Sequence, residues 1–101
     1  MHTLAVLYGQ PENLEEFYKY YEEVHLPLVR KIPGIIQTRL SQNVQSIPGS
    51  SPYAAIFEAD FSSAEEMNRA LSSQEGQDAQ ADVQNFATGG VHILHFSLDN
   101  G

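Results

Sequence analysis

The segment that decides the fold covers residues 17–28 and reads Phe-Tyr-Lys-Tyr-Tyr-Glu-Glu-Val-His-Leu-Pro-Leu. In and around it, apolar and aromatic side chains recur every three or four residues, the spacing of one face of an α-helix. These are Leu14, Phe17, Tyr18, Tyr21, Val24, His25 and Leu28. Asn13 and Glu16 have the spacing of a capping box, so the helix is expected to begin there. Pro27 has no backbone N–H and crowds the carbonyl four residues earlier, so we expect a kink or an interruption between Glu23 and Pro27.

Outside this helix, short runs of β-forming residues predict four strands. The strands cover residues 3–8, 35–42, 53–61 and 91–98, and a polar loop at 43–52 separates the second from the third. Ser62 or Ser63 is expected to cap a second helix that runs through Leu71, followed by a weaker helical stretch at 74–86 that breaks near Gly76. The order βαββαβ is that of a ferredoxin-like α+β domain, a four-stranded antiparallel sheet with the helices on one face.

The predicted sheet is apolar on both of its faces, although its helices can cover only one. The first strand places Leu4 and Val6 on one face and Ala5 and Leu7 on the other. Soluble monomers rarely expose so large an apolar patch, so we expect a homodimer that stacks sheet on sheet and leaves a cavity inside. The alternative is a monomer whose loop 43–52 and C-terminus fold over the sheet.

Composition limits the class of protein and its partners. The chain has 101 residues, the length of one domain, which we take as residues 1–101. Thirteen acidic and five basic residues give a net charge of -8, so neither nucleic acid nor an anionic membrane is an expected partner. The first apolar run is too short for a signal peptide or a membrane span, and a cytoplasmic location is expected.

The residues quoted above resemble the signature of the EthD family, which belongs to the dimeric α+β barrel superfamily. The resemblance rests on the aromatic first helix with its Tyr20-Tyr21 pair, then His25-Leu26-Pro27-Leu28, then Pro33-Gly34 before the second strand. It implies a homodimer with an open pocket between the sheet and the first helix. The family is named for its association with genes for ethyl tert-butyl ether degradation, and the fold alone selects no reaction.

Tyr21 and His25 are the candidate catalytic residues. They are four residues apart, so a continuous helix would place them on one face, within reach of a common substrate. A neutral imidazole can exchange a proton near pH 7, and a phenol can donate to a developing oxyanion, which suits enolisation, cyclisation or dehydration of a carbonyl compound. In the alternative, Tyr21 is a core residue and His25 donates to a carbonyl freed by Pro27.

Six further residues are expected to line a ligand pocket for a small hydrophobic molecule. They are Tyr8, Phe17, Leu28, Arg39, Glu58 and His95. Arg39 and Glu58 sit on strands that should be neighbours and are alternatively a solvated ion pair at the rim. The chain has no cysteine, no His-x-x-x-His pair and no glycine-rich phosphate loop, so neither a metal nor a nucleotide cofactor is expected.

Three functions are compatible with these residues. The first is a cofactor-independent enzyme, of oxidoreductase, cyclase or isomerase type, that acts on a small apolar carbonyl or aromatic compound. The second is a non-catalytic carrier that delivers a hydrophobic metabolite to a partner oxygenase. The third is a structural dimer without a ligand, which would have a filled interior.

Overall fold

The computed structural model describes residues 1–98. Its strands are β1 (His2–Gly9), β2 (Gln37–Gln42), β3 (Tyr53–Phe61) and β4 (Val91–Ser97). Its helices are α1 (Leu14–Tyr20), a π-helical turn (Tyr21–His25), α2 (Leu26–Val29), α3 (Ala64–Ser72), α4 (Gln74–Asp82) and a 3₁₀ turn (Val83–Asn85). The strands form one antiparallel sheet in the order β2-β3-β1-β4. The predicted ferredoxin-like α+β fold is confirmed.

Helix α1 begins where its sequence predicts. The Asn13 side chain accepts a hydrogen bond from the Glu16 backbone N–H at 3.0 Å, which satisfies one of the free donors at the helix start. Phe17 is buried beneath the helix. The helix is therefore fixed at its first turn by a cap and by one aromatic anchor.

The interruption expected before Pro27 is a single π-helical turn. Within it, the backbone N–H of Leu26 bonds to the carbonyl of Tyr21, five residues earlier, and α2 then continues the helix. Pro27 has no backbone N–H to donate. It lies just after the π-helical turn, where the regular pattern of helical hydrogen bonds is already interrupted. Tyr21 and His25, the first and last residues of the turn, are both buried.

Helices α3 and α4 meet at Ser73, three residues before the break expected at Gly76. The Ser73 hydroxyl accepts from the Gly76 backbone N–H at 3.1 Å and donates to the Ala70 carbonyl at 2.5 Å. One side chain thus ends α3 and begins α4. Gly76 is buried where the two helices approach closely, and a Cβ there would lie 2.2 Å from the Ala70 carbonyl oxygen.

The core lies between the helices and one face of the sheet. Strands β1 and β3 contribute most of its sheet side, and the register pairs Leu4 with Ala59 and Val6 with Phe57. The aromatic part consists of Tyr8, Phe17, Tyr21, Phe57, Phe61 and Phe86. No helix of residues 1–98 has the length and apolar character needed to cross a membrane.

The opposite face of the sheet, which we call the bare face, carries both apolar and charged side chains. Leu94 and Phe96 on β4 point to it and are 51% and 39% exposed. Thr3 and Asp60, on the same face, are buried by their neighbours. Within residues 1–98 no element covers the two β4 side chains.

Candidate functional site

An apolar cavity of about 80 Å³ lies between the sheet and the helices α2 and α4. Its sheet side is formed by Leu4, Val6 and Tyr8 of β1 with Phe57, Ala59 and Phe61 of β3. Helical and loop residues close it, among them His25, Val29, Ile32, Ala79, Gln80 and Val83. One enclosed water needs about 10–15 Å³ of such space, so there is room for a small organic molecule. Tyr8, His25 and Gln80 supply the polar side chains of this lining.

His25 is held at the wall of the cavity by a buried carboxylate. Its Nδ1 lies 3.0 Å from Oδ2 of Asp82, at the end of α4, and both residues are buried. The other carboxylate oxygen of Asp82 accepts from the Tyr20 hydroxyl at 2.6 Å and from the Asn85 amide at 3.0 Å. Because Asp82 is fixed by three partners, it fixes the orientation of the imidazole in turn.

The charge states of this pair follow from burial and hydrogen bonding. Burial lowers the pKa of His25, and this exceeds the opposite effect of Asp82, so the imidazole is neutral at pH 7. Burial alone would raise the pKa of Asp82, but the hydrogen bonds from Tyr20, Asn85 and His25 outweigh it and lower the pKa. A carboxylate only accepts, so His25 donates through Nδ1. Nε2 is then an acceptor, without a hydrogen-bond partner in the described part of the chain.

Tyr21 and Tyr8 lie near the imidazole in different ways. The Tyr21 ring contacts His25 with centroids 5.5 Å apart, but it lines a neighbouring cleft with Leu26, Leu40 and other residues rather than the cavity itself. Its buried hydroxyl has no partner in residues 1–98. Tyr8 does line the cavity, and its ring is 6.1 Å from that of Tyr21.

The alternative interpretation treats His25 as a structural residue that satisfies the backbone near Pro27, and the observed contact of His25 is a different one. The imidazole bonds to the Asp82 carboxylate and not to a carbonyl left free by Pro27. Sequence reasoning missed Asp82 because it lies 57 residues away, in a stretch with a weak helical pattern. Asp82 follows the buried Gly76 and Ala79 at intervals of three residues, and this helical spacing is the signal that could have placed it on the inner face of α4.

The remaining expected pocket residues are distributed over the molecule. Phe17 is in the core, against Tyr8 and Phe86, and Leu28 packs beside that core. His95 is exposed on β4, where its Nδ1 lies 2.9 Å from Nε2 of His2. None of the three lines the cavity beside His25. Their part in ligand binding stays a prediction.

Arg39 and Glu58 lie on the bare face, in directly paired positions. Their Nε and Oε1 atoms are 3.6 Å apart, but the main partner of Arg39 is Asp60, which the sequence prediction missed. Two guanidinium nitrogens donate to Asp60 at 2.8 and 3.0 Å, and Thr3 and Gln37 donate to the same carboxylate at 2.7 and 2.8 Å. Hydrogen bonds from Arg39 above all lower the pKa of Asp60, despite its burial. Arg39 also borders the cleft that Tyr21 lines. That either residue contacts a ligand stays a prediction.

Within residues 1–98 no three or more His, Asp or Glu side chains converge in a way that could hold a metal ion. That no metal or cofactor is used stays a prediction.

The fold and this geometry define a ferredoxin-like α+β protein in which a buried histidine–aspartate pair borders an apolar cavity. Comparison with known proteins narrows the class. The family model of the EthD domain matches residues 10–90, and the chain therefore belongs to the EthD family.

Three known proteins illustrate the relationship. An uncharacterized 11.0 kDa protein from the thcB-thcC intergenic region of Rhodococcus erythropolis is 37% identical over 95 residues, which are 93% of this chain and 91% of the relative. The crystal structure of an EthD family protein from Bacillus halodurans has a TM-score of 0.91 at 29% identity and covers 98% of this chain and 99% of its own. A hydroxynitrile lyase from Passiflora edulis has a TM-score of 0.75 at 8% identity, covering 99% and 95%, and shares the fold alone.

Proposed function

We propose that this chain is a cofactor-independent enzyme in which His25 moves a proton on a small, mostly apolar carbonyl compound bound in the cavity. The observation that carries the proposal is the His25–Asp82 pair, with its unpartnered Nε2 at a cavity wall that is otherwise almost entirely apolar. An imidazole that a buried carboxylate holds at the wall of a cavity is typical of a functional site. The hydroxynitrile lyase from Passiflora edulis has the same fold and is an enzyme, so this architecture is compatible with catalysis.

In the proposed reaction the neutral imidazole is the base. Asp82 keeps the proton on Nδ1, so Nε2 takes a proton from the substrate and the resulting imidazolium is stabilised by the adjacent carboxylate. Tyr21, whose ring contacts His25, is the hydroxyl donor expected from the sequence. The apolar lining lowers the local dielectric beside His25, which strengthens each of these interactions.

A second candidate is a non-catalytic carrier that binds a hydrophobic metabolite in the same cavity and passes it to a partner oxygenase. The lining favours it, because three polar side chains among sixteen residues suffice to hold an apolar ligand without chemistry. The carrier requires the cavity but not the free Nε2 of His25.

We also propose that the protein is a homodimer formed through the bare face. Leu94 and Phe96 are large apolar side chains on an uncovered sheet, and a second copy would remove them from water. We place the protein in the cytoplasm, which agrees with a chain that has no cysteine for disulfides.

Hydrogen–deuterium exchange at a ketone tests the enzyme against the carrier. Cyclohexanone in D₂O is monitored by NMR with the wild-type chain, with His25→Gln and with His92→Gln. His92 is the matched control because it is an exposed histidine on the bare face. The enzyme predicts protein-dependent exchange of the hydrogens next to the carbonyl, unchanged in His92→Gln and reduced about 100-fold or more in His25→Gln.

The three outcomes are distinguishable. Binding of the ketone, seen as chemical-shift changes of cavity residues, without exchange would reject the enzyme in favour of the carrier. Exchange that survives in His25→Gln would reject His25 as the base. Neither binding nor exchange would count against both functions, and thermal unfolding of the variant shows whether its fold is kept.

A further inference from the structure

Two tyrosines near the cavity are buried residues whose hydroxyls have no hydrogen-bond partner among residues 1–98, and the Tyr21 hydroxyl is itself fully buried. Tyr8 and Tyr21 are each 1% exposed. Among the described residues no hydrogen bond reaches either hydroxyl. Hydroxyls of buried tyrosines are normally satisfied by protein or by ordered water, so a tyrosine at the cavity wall without a protein partner indicates that a bound group accepts its hydrogen bond.

Of the two, Tyr8 is better placed to meet a ligand. It projects from β1 into the cavity that His25 borders, whereas Tyr21 lines the neighbouring cleft behind it. Its ring is fixed against those of Phe17 and Phe86, with centroids 5.2 and 5.5 Å away. A donor held by packing on a strand is pre-organised, because it does not have to reorient when charge develops on its partner.

We infer that the Tyr8 hydroxyl is the donor that holds the substrate's oxygen, and that the substrates are enolisable carbonyl compounds rather than hydrocarbons. This inference rests on the proposed function of His25. The donor is then Tyr8 on β1 and not Tyr21 of the π-helical turn. Tyr21 lies behind the site, in the neighbouring cleft.

The reaction that follows is a balanced enolisation. Nε2 of His25 takes the proton from the carbon next to the carbonyl, and the electron pair of that C–H bond forms the new C=C bond. The π pair of the C=O bond moves to the oxygen, which accepts a hydrogen bond from Tyr8 as it becomes negative. Returning the proton from His25 to carbon or to oxygen completes the cycle, and no oxidant is needed.

The charge environment agrees with a donor role. Burial, reinforced by the neighbouring Tyr21 and Asp82, raises the pKa of Tyr8 well above its usual range. Burial likewise raises the pKa of Tyr21. Both phenols therefore keep their protons at neutral pH. Each can donate a hydrogen bond to a developing oxyanion.

4-Nitrophenol and nitrobenzene together test this role. They are similar in size, but only 4-nitrophenol can ionise, with its proton passing to His25 and its oxygen facing Tyr8. Binding to wild type, Tyr8→Phe, Tyr21→Phe and Tyr18→Phe is followed by titration, with the visible phenolate band reporting ionisation. Tyr18 is the control because it is half-buried and donates to the Ala54 carbonyl.

We expect Tyr8→Phe to weaken binding of the phenolate about tenfold or more, as for loss of a hydrogen bond to a charged group, and to leave nitrobenzene binding unchanged. Tyr21→Phe should have a smaller effect and Tyr18→Phe none. Equal phenolate binding by Tyr8→Phe and wild type, with nitrobenzene still bound, would overturn the role of Tyr8 and leave the proposed function intact. If neither 4-nitrophenol nor nitrobenzene binds the wild-type chain, the proposed function is overturned and this inference with it.

Discussion

The His25 imidazole is expected to titrate below the range of a free histidine, whose pKa is about 6.5. Burial is the larger effect and lowers the pKa, while Asp82 raises it. Since the unfolded chain binds the proton more tightly, the contribution of His25 to stability is complete above about pH 6.5. It is lost as the pH falls through the lower pKa of the folded state.

Replacing Asp82 with asparagine removes the influence that raises the pKa of His25. We therefore predict that Asp82→Asn lowers this pKa further, measured from the pH dependence of the imidazole Hε1 signal by NMR. Asp78→Asn, an exposed acid-to-amide change on the same helix, is the control and should leave it unchanged. An unchanged or higher pKa in Asp82→Asn would contradict the effect of Asp82 on the pKa of His25.

At the scale of residues, the sequence identified His25 as a candidate but not the residue that binds it. His25 stands out because it interrupts an apolar helical pattern beside a proline. Asp82 does not, because a carboxylate in a polar helix looks solvated until the fold places it 3.0 Å from an imidazole. The sequence also suggests an ion pair between Arg39 and Glu58. In the structure Asp60, two residues further along β3 on the same face, binds Arg39 more closely.

At the scale of elements, the close approach of α3 and α4 should make Gly76 intolerant of any side chain. An added Cβ would meet the Ala70 carbonyl oxygen at 2.2 Å and the Leu71 Cα at 2.9 Å, both backbone atoms. We predict that Gly76→Ala lowers the free energy of unfolding by about 2 kcal/mol, measured by urea denaturation. Asp78→Ala, exposed on the same helix, should stay within about 0.5 kcal/mol of wild type. A similar small change in Gly76→Ala would show that the helices can separate at little cost.

Elements were predictable where a local signal fixes them. The caps at Asn13 and Ser63 and the strand β3 follow from spacing and alternation that need no tertiary contact. The irregularity before Pro27 was predictable in place but not in kind. Proline removes a donor, but whether the chain then bends, unwinds or widens depends on the buried partners of Tyr21 and His25.

At the scale of the whole molecule, the uncovered sheet predicts a dimer in solution. We expect light scattering after size exclusion, at micromolar concentration, to give twice the 11.2 kDa mass of one chain. Phe96→Asp, which places a charge among the exposed apolar side chains of the edge strand β4 on the bare face, should shift the mass to that of one chain. Leu14→Asp, on the outer side of α1, should remain dimeric. A wild-type mass of one chain would contradict the proposed assembly.

The ferredoxin-like sheet was predictable from the order of the elements along the chain, and its two faces from the alternation of residues within the strands. The charged cluster around Asp60 was not. Its four donors and acceptors come from three different strands, and only the register brings them together.

The π-helical turn also has a consequence for the history of this chain. Such a turn differs from an α-helical one by a single additional residue, and each residue of an α-helix rotates the next by about 100°. Because the extra residue is absorbed within this one turn, a homologue one amino acid shorter between positions 21 and 25 would form a regular α-helical turn there and keep the orientation of the helix that follows. In aligned relatives we therefore expect single-residue gaps in this helix to fall between these positions, with the histidine at the end of the turn and the carboxylate at position 82 both kept.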